Sequence, residues 1–216
     1  MRLKEKTRKL GRPKDAGLAE RRRGEIVTRA IEEFARSGYA NADLEVIAAN
    51  AGCSKGTLYN YFSRKGDLFN ASVDHVMFSV MKAAAVSEEA DPVEQLEQVV
   101  HGFLRHFADH PQHVELLIQE RSDFRDRQQP TYLRYKAASR QRWQARFERL
   151  MAQGRMRRMS TEQAIDILAN LLYGTVFLNY FQRRQIRPEQ QASALLNVLL
   201  GGLLTEAEFL SRQRAV

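Results

Sequence analysis

Five side chains that can donate hydrogen bonds to DNA fall within one short segment of the sequence. They are Lys55, Thr57, Tyr59, Asn60 and Tyr61. A lysine can donate to guanine O6 and N7, an asparagine can pair with an adenine edge, and hydroxyl groups can donate to phosphate oxygens. Helical spacing places Leu58 and Phe62 on the opposite side from these groups. The segment is therefore predicted to be a helix whose polar and aromatic face points away from the protein.

The residues before this segment predict a second helix that positions it. Leu44, Ile47, Ala48 and Ala51 are three and four residues apart, which places them on one face. Asp43 and Ser54 are candidate amino-terminal caps of the two helices, and Gly52 separates them. This helix-turn-helix pattern offers its second helix to the major groove of DNA. Plain packing of two helices at a glycine corner is the alternative for the bare pattern.

Longer strings around this corner resemble the DNA-binding domain of the TetR/AcrR family of bacterial transcriptional regulators. They are GTLYNYFSRKGDLF at 56–69, the corner at 44–54, and IVTRAIEEFARSGY at 26–39. The resemblance covers about residues 20–70, and beyond residue 75 it concerns architecture alone. It implies that Lys55, Gly56 and Asn60 lie near bases. It implies phosphate contacts for Thr57, Tyr59, Tyr61 and Lys65.

The sequence departs from the family pattern just before the second helix. Many relatives place two hydroxyl residues there, whereas this chain has Ala42 and Asp43. Leu44 also takes a place where some relatives use a hydroxyl group to hold a phosphate. We expect the cap to survive through Asp43 and one backbone phosphate contact to be missing.

The positive charge is concentrated in the amino-terminal third. Of the net charge of +8 over 216 residues, residues 1–66 carry +7, from 15 Lys and Arg against 8 Asp and Glu. That distribution indicates a small nucleic-acid-binding module on a nearly neutral body. A polybasic membrane anchor would be accompanied by an amphipathic stripe or lipidation signal, and none is found.

Residues 1–19 are predicted to form a flexible basic arm. Within it, Gly11-Arg12-Pro13-Lys14 resembles the core of an AT-hook, so Arg12 and Lys14 are predicted to enter the minor groove. A solvated tail that adds nonspecific attraction is the alternative. The arginines at 21–23 have the same two interpretations, phosphate contacts or a solvated charge run.

The whole chain is predicted to be all-α, with about nine helices. A first helix over about residues 20–37 ends at Gly38 with a left-handed cap. A helix from Ser63 through Met81 connects the helix-turn-helix domain, residues 20–66, to a larger domain, residues 67–216. The larger domain shows helical periodicity throughout. The resemblance to the TetR/AcrR family implies that this domain binds an effector and dimerises.

The last two predicted helices carry a surplus of apolar surface. One runs from Thr161 to Arg184 and the other starts at Arg187 and Pro188. A helix that is apolar on nearly every side needs more than one partner, so we expect a homodimer. The predicted interface is Leu171, Phe177, Leu178, Leu195, Leu199 and Leu203. Burial in the core of a monomer is the alternative. A bilayer span is not expected, because Asp166, Asn170 and Asn179 interrupt the first helix.

The family usually holds a small effector among the middle helices of the body. The candidate lining residues are Met77, Met81, Phe103, Phe107, Leu117, Trp143, Phe147, Tyr173, Phe177 and Tyr180. Each of them has a competing interpretation as an ordinary core residue. The scarcity of charge among them favours an apolar or aromatic effector.

Other chemistries have little support in the sequence. His106, His110 and His113 have helical spacing, but Pro111 interrupts it, so no metal or cofactor is predicted. No phosphate loop, nucleophile elbow or catalytic triad is present, so the chain is not predicted to be an enzyme. Cys53 is the one cysteine, and with no signal segment it indicates the cytoplasm. Thiol sensing at Cys53 stays a minor alternative.

Two functional hypotheses remain after these exclusions. The first is a homodimeric, effector-responsive repressor that binds a palindromic duplex operator. The second is a nucleoid-associated adaptor that keeps the DNA-binding head and uses its body to dock a protein partner, without a small ligand.

Overall fold

The computed structural model describes residues 16–124, 129–184 and 186–213. These residues form ten helices, which confirms the all-α prediction and adds one to the expected nine. They are α1 (Ala16–Asn41), α2 (Leu44–Asn50), α3 (Lys55–Tyr61), α4 (Lys65–Ala83), α5 (Pro92–Asp109), α6 (Gln112–Asp123), α7 (Thr131–Ala152), α8 (Thr161–Phe181), α9 (Pro188–Leu203) and α10 (Glu206–Gln213). The additional helix is α10. Arg12 and Lys14 lie outside the described residues.

Both ends of α1 differ from the prediction. The helix begins at Ala16, inside the predicted arm, because Ala16, Leu18 and Ala19 favour a helix despite the surrounding charge. At the other end, Gly38 interrupts the helix as expected. Its φ of 77° and ψ of 158° are not those of a left-handed cap, so that part of the prediction was wrong. Only glycine adopts this conformation readily, and the chain continues through one further turn to Asn41.

The first three helices share one apolar centre. Ile26 and Phe34 of α1, Ile47 of α2 and Leu58 of α3 are almost completely buried. These residues recur at helical spacing in the sequence, so each helix contributes one apolar stripe to the same core. We call this three-helix unit, α1 to α3, the head.

The head is joined to the body by side chains as well as by α4. The rings of Phe69 in α4 and Phe124 after α6 stack with centroids 5.1 Å apart, and Phe34 of α1 meets Phe69 edge-on at 5.0 Å. The side-chain amide of Gln119 in α6 donates to the carbonyl oxygen of Phe34 at 2.9 Å. A shift of α4 or α6 therefore acts directly on α1.

The body is a bundle of α4 to α9 that α10 closes. Leu96, Val100, Phe103 and Phe107 of α5 are buried, as the amphipathic pattern of that helix predicted. Gly102 lies where α5 meets the end of α4, and a Cβ atom there would stand only 2.1 Å from the carbonyl oxygen of Ala83. The two backbones are thus in contact at a position that only glycine permits.

Helix α8 is capped by Ser160, whose hydroxyl accepts a hydrogen bond from the backbone N–H of Gln163 at 3.3 Å. It ends at Phe181, three residues before the predicted end. By length and composition alone its 21 residues could cross a membrane, so the prediction that polar residues exclude this was too strict. One such helix is weak evidence, since core helices pass the same test. Here Ala164, Leu168 and Val176 pack into the bundle.

Candidate nucleic-acid interface

The turn between α2 and α3 is built by two side-chain caps and one glycine. Asp43 accepts a hydrogen bond from the N–H of Glu45 at 2.7 Å, and Ser54 accepts one from the N–H of Thr57 at 3.1 Å. Gly52 has a φ of 64°, which lets the chain reverse within a few residues. The predicted caps and break are therefore where the structure has them, and α3 is held at a fixed angle to α2.

The side chains of α3 divide into a buried and an exposed face. Leu58 and Phe62 are buried in the head, whereas Lys55, Tyr59 and Asn60 are exposed. Tyr59 stands out because 44% of a large aromatic residue faces solvent. An exposed face with an ammonium, a phenol and a carboxamide matches the donors that DNA bases and phosphates accept.

Lys55 forms an ion pair with the neighbouring helix α2. Its ammonium lies 2.8 Å from a carboxylate oxygen of Glu45 in α2, and this bond raises the pKa of Lys55. Both side chains are exposed, so the pair stays open to exchange with another anion. A base or phosphate must therefore compete with Glu45 for this ammonium.

Gly56 leaves the backbone of α3 bare on the exposed face. A Cβ atom there would meet nothing closer than the Ser54 hydroxyl oxygen at 3.8 Å, and its φ is not positive. The fold therefore does not require glycine, although glycine costs a helix about 1 kcal/mol relative to alanine. A partner that approaches the backbone closely would account for the residue.

Three of the side chains predicted to contact phosphates are partly buried or already form hydrogen bonds within the protein. The hydroxyls of Thr57 and Ser54 lie 2.9 Å apart, and Tyr61 is half-buried against the core of the head. The ammonium of Lys65 donates to the carbonyl oxygen of Ala40 at 3.0 Å, above the ring of Tyr39. Desolvation in this position lowers the pKa of Lys65. A lysine has three donors, so a phosphate contact is still available to it.

Glu33 is a buried carboxylate that the sequence pattern did not indicate. It accepts hydrogen bonds from the Ser37 hydroxyl at 2.8 Å and from the N–H of Asp43 at 3.5 Å, and it pairs with Arg36. Burial opposes its ionisation, but these donors together hold the pKa of Glu33 below its usual value. The carboxylate thereby fixes the residue that caps α2.

Two of the three arginines at the start of α1, Arg22 and Arg23, have structural partners. Arg22 donates to the carbonyl oxygen of Ala51 at 3.0 Å, at the end of α2, and pairs with Glu25. The guanidinium of Arg23 lies over the ring of Phe62, 5.0 Å from its centroid. These contacts brace the head, so the run is more than a solvated charge cluster.

The rings of the three histidines near Pro111 converge. Their ring centroids are 5.0 Å apart in each pair, and His106 Nε2 and His113 Nδ1 share a hydrogen bond of 2.9 Å. Over the described ranges, no group of three or more His, Cys, Asp or Glu side chains could hold a metal ion. Desolvation, with repulsion from neighbouring histidines, lowers the pKa of His106 to about 4 and that of His113 to about 3.

A cavity of about 280 Å³ lies between α4, α5, α7 and α8, and we call it the central cavity. Its lining includes five of the predicted effector residues: Met77, Met81, Phe103, Trp143 and Tyr173. Phe107 and Tyr180 instead line a wider cleft of about 690 Å³ between the ends of α5 and α8. Leu117, Phe147 and Phe177 line neither space. Leu117 and Phe147 are buried in the core, at 3% and 1% exposure.

The apolar surplus of α8 and α9 is only partly consumed within the chain. Ile167, Leu178 and Phe181 of α8 and Val198 of α9 are exposed large hydrophobic residues. Leu199 and Leu203, which were predicted to face a partner chain, are buried in this one. Their neighbour Val198, at 72% exposure, takes the outward place, because the helix turns about 100° per residue. We call the exposed set Ile167, Leu178, Phe181 and Val198 the apolar face.

Sequence reasoning missed the basic wall of the central cavity. Lys136, Arg142 and Arg146 of α7 line it together with Glu88 from the segment before α5. The signal was available, since Lys136 and Arg146 lie seven residues before and three after Trp143, on its side of the helix. Glu45 was missed as well, because no local spacing pairs α2 with Lys55.

The head has three helices, and its third helix, α3, is capped and faces outward. This arrangement defines a helix-turn-helix DNA-binding regulator. Residues 26–72 match the family model described as bacterial regulatory proteins, tetR family, and residues 89–177 match that of the tetracyclin repressor-like C-terminal domain. The chain belongs to the TetR family of transcriptional regulators. Members of this family are DNA-binding regulators and not enzymes.

Curated relatives resemble the chain over about half its length. It is 32% identical over 105 residues to the HTH-type transcriptional repressor SCO4008 of Streptomyces coelicolor, which covers 49% of this chain and 52% of that protein. It is 30% identical over 107 residues to the HTH-type transcriptional repressor NicS of Pseudomonas putida, covering 49% and 50%. The matches span about half the length of these relatives.

Solved structures resemble most of the fold. The ketosteroid transcriptional regulator KstR2 of Mycobacterium tuberculosis has a TM-score of 0.63 at 20% identity, covering 86% of this chain and 96% of that one. A TetR family transcription regulator from Marinobacter aquaeolei VT8 has a TM-score of 0.68 at 17% identity, covering 88% and 99%. At such identities the likeness concerns the fold alone.

Proposed function

We propose that the chain is a homodimeric transcriptional repressor that acts in the cytoplasm. It binds a palindromic duplex operator through α3 and leaves it when a small effector enters the body. The observation that carries this proposal is the exposed face of α3. There Lys55, Tyr59 and Asn60 surround the bare backbone at Gly56, while the rest of the helix is fixed by Leu58 and the Ser54 cap.

Each donor has a separate task in this proposal. Lys55 and Asn60 read base edges in the major groove, and the Tyr59 hydroxyl binds a phosphate. Tyr61 and Lys65 support the phosphate contacts from less exposed positions. The predicted arm with Arg12 and Lys14 adds minor-groove contacts next to the operator.

The apolar face supports dimerisation. Ile167, Leu178 and Phe181 are spaced to lie along one side of α8, together with Leu171 and Gly174, and a second copy of the chain would cover them. A twofold dimer places two heads on one face of DNA, about 34 Å or a small multiple apart. Four exposed large apolar residues on two adjacent helices agree with such an interface.

The central cavity supports an effector over a purely protein-docking body. It lies beside Met77 and Met81, in the half of α4 that is remote from the head. The dimer is proposed to have two conformations, which differ in the distance between its two heads. An effector acts by binding one of these conformations more tightly than the other, since differential affinity alone shifts an equilibrium. Because α4 and α6 both contact α1, a shift at the cavity reaches the head.

Base-substitution profiles test the DNA-binding proposal. Duplexes selected by the wild-type protein from a random pool are varied one base pair at a time and titrated with each variant. Lys55→Ala and Asn60→Ala should each relax preference at particular base pairs, with about 1–3 kcal/mol of discrimination lost. Tyr59→Phe should weaken binding to duplexes of all sequences alike. Unchanged profiles for both Lys55→Ala and Asn60→Ala would refute the reading role of α3.

A further inference from the structure

The central cavity has two chemically unlike walls. The apolar wall comes from α4, α5 and α8. Its residues include Met77, Val80, Phe103, Leu168 and Leu172. The opposite wall comes from α7 and carries three cations, Lys136, Arg142 and Arg146. A ligand that fills this cavity must therefore be apolar on one side and meet positive charge on the other.

The charges of the basic wall are not balanced inside the cavity. Lys136 is neutralised by Asp166, 2.9 Å away, and Arg146 pairs with Glu88 at 2.9 Å. Within the described parts of the chain, no ion pair involves Arg142. Among the described residues that line the cavity, Glu88 is the one that is acidic. With Asp166 included, three cations face two carboxylates, and the unpaired cation is the exposed Arg142. This surplus of one positive charge favours an anionic ligand.

The two side chains of the Arg146–Glu88 pair differ in how far they are exposed to solvent. The Arg146 side chain is only 9% exposed, and its guanidinium lies over the ring of Trp143, 5.0 Å from the centroid. The Glu88 side chain is 71% exposed and belongs to the segment between α4 and α5. The fixed guanidinium is a ready-made fork for a carboxylate, whereas an exposed glutamate contributes about 1 kcal/mol or less to such a pair.

We propose that the effector is a small amphiphile with a carboxylate head group, and that this head group takes Arg146 from Glu88. The proposal rests on the proposed function, because it specifies the ligand of the same regulator. The apolar part of the ligand packs against Met77, Phe103 and Leu172. Once its tail is bound, the ligand presents its carboxylate at high effective concentration and displaces the exposed glutamate.

Displacement of Glu88 connects ligand binding to the head. The Arg146–Glu88 pair fastens the segment that follows the end of α4 to α7. The side-chain amide of Gln95 in α5 also holds this segment, by donating to the carbonyl oxygens of Ser87 at 2.7 Å and Ala90 at 3.1 Å. Loss of the Arg146–Glu88 pair removes one tether between the segment and α7 and leaves the tether to α5. We expect α4 to shift relative to α7 as a result, and the distance between the two heads of the dimer to change with it.

Matched acids and amides test the ligand class by calorimetry. The probes are decanoate with decanamide and phenylbutyrate with phenylbutyramide, which differ in charge more than in shape. Both sizes suit a cavity near the lower end of the range for ligand pockets. We expect at least one acid to bind about tenfold more tightly than its amide. Equal binding of acid and amide in both pairs, or no binding of either acid at millimolar concentration, overturns the proposal.

Glu88→Gln tests the displacement step, with the neighbouring exposed Glu89→Gln as its matched control. Glu88→Gln should tighten binding of the acid severalfold and weaken binding of the selected duplex without ligand, whereas Glu89→Gln should do neither. Arg142→Gln should reduce the preference for acid over amide. An unchanged acid affinity in Glu88→Gln refutes the exchange. Failure of the wild type to bind duplex DNA refutes the proposed function instead, and leaves the acid preference measurable by itself.

Discussion

The ammonium of Lys55 and the carboxylate of Glu45 lie 2.8 Å apart, so the lysine on the exposed face of α3 is neutralised by α2 in the free protein. A DNA phosphate near this pair meets a carboxylate as well as an ammonium. In the proposed complex with DNA, the pair weakens nonspecific attraction and holds Lys55 in place for a base.

Glu45→Gln should raise the affinity for duplex DNA of any sequence. Removal of one negative charge leaves Lys55 free to release a counterion, so the logarithmic salt dependence should steepen by about one. Fluorescence anisotropy titrations at several salt concentrations measure both quantities. Glu94→Gln, an equal charge change in the first turn of α5, should leave them unchanged. If the two variants behave alike, Glu45 does not lie at the DNA interface.

Gly56→Ala should stabilise the fold and weaken DNA binding. The helix gains about 0.5–1 kcal/mol, and a Cβ atom at this place meets no close neighbour. The added methyl group would stand where DNA approaches the backbone. Chemical denaturation and DNA titration measure the two effects, with Gly24→Ala in α1 as the control for the helical gain. Equal DNA affinity in Gly56→Ala and the wild type would show that nothing approaches α3 closely.

Much of the head could be predicted from the sequence because its signals are local. Asp43, Gly52 and Ser54 act within a few residues of themselves, and the spacing of Leu58 and Phe62 alone determines which side of α3 is buried. The Lys55–Glu45 pair and the Glu33 anchor could not be predicted. Both join residues ten positions apart across a turn, where only the fold decides which side chains meet.

The helices of the body could be predicted from the sequence, but the residues that line its cavity could not. Trp143 and Phe147 are four residues apart on α7, so they lie on the same side of the helix. Phe147 nevertheless enters the core, whereas Trp143 lines the cavity. Likewise Val198 and Leu199 are adjacent, and only Val198 faces outward. The distinction depends on how far α7 and α9 are rotated about their axes, which packing against other helices sets.

Stability should fall as the pH is lowered from about 6.5 towards 4.5. His106 and His113 are neutral in the folded protein because their pKa values are depressed to about 4 and about 3, whereas an unfolded histidine takes up a proton near pH 6.5. Below that pH the unfolded state binds more protons and is favoured. Carboxylates with a lowered pKa, such as Asp91 and Glu208, also stabilise the fold, and protonation removes that stability only nearer pH 4.

Thermal melting across this pH range measures the effect. His113→Leu should flatten the decline between pH 6.5 and 4.5, and His101→Gln, outside the cluster, should retain it. A decline that begins only below pH 4.5 in the wild type would show that the buried histidines are not its cause.

Leu178→Glu should dissociate the proposed dimer. The substitution puts a charge in the centre of the apolar face, where Leu178 is 55% exposed in the single chain. Truncation of a central interface residue costs about 2 kcal/mol or more, so the dimer should weaken at least about thirtyfold. Sedimentation analysis gives the dissociation constant. Phe78→Glu, at a residue of α4 with 62% exposure outside this face, is the control and should remain dimeric.

Gly102→Ala should destabilise the protein and disturb effector response. The new methyl group would collide with the carbonyl oxygen of Ala83, which is backbone and can yield only if α4 and α5 separate. Overpacking of this kind costs about 1–3 kcal/mol. Chemical denaturation measures the loss, and Gly24→Ala is again the control. A neutral Gly102→Ala would mean that the end of α4 is not held against α5.

The most direct test of the account is selection of duplex DNA from a random pool at low ionic strength, followed by the stoichiometry of the selected complex. We predict an inverted repeat whose half-sites are one helical turn, or a small multiple of it, apart, bound by an even number of chains. A protein that stays monomeric and enriches no duplex under these conditions would contradict it.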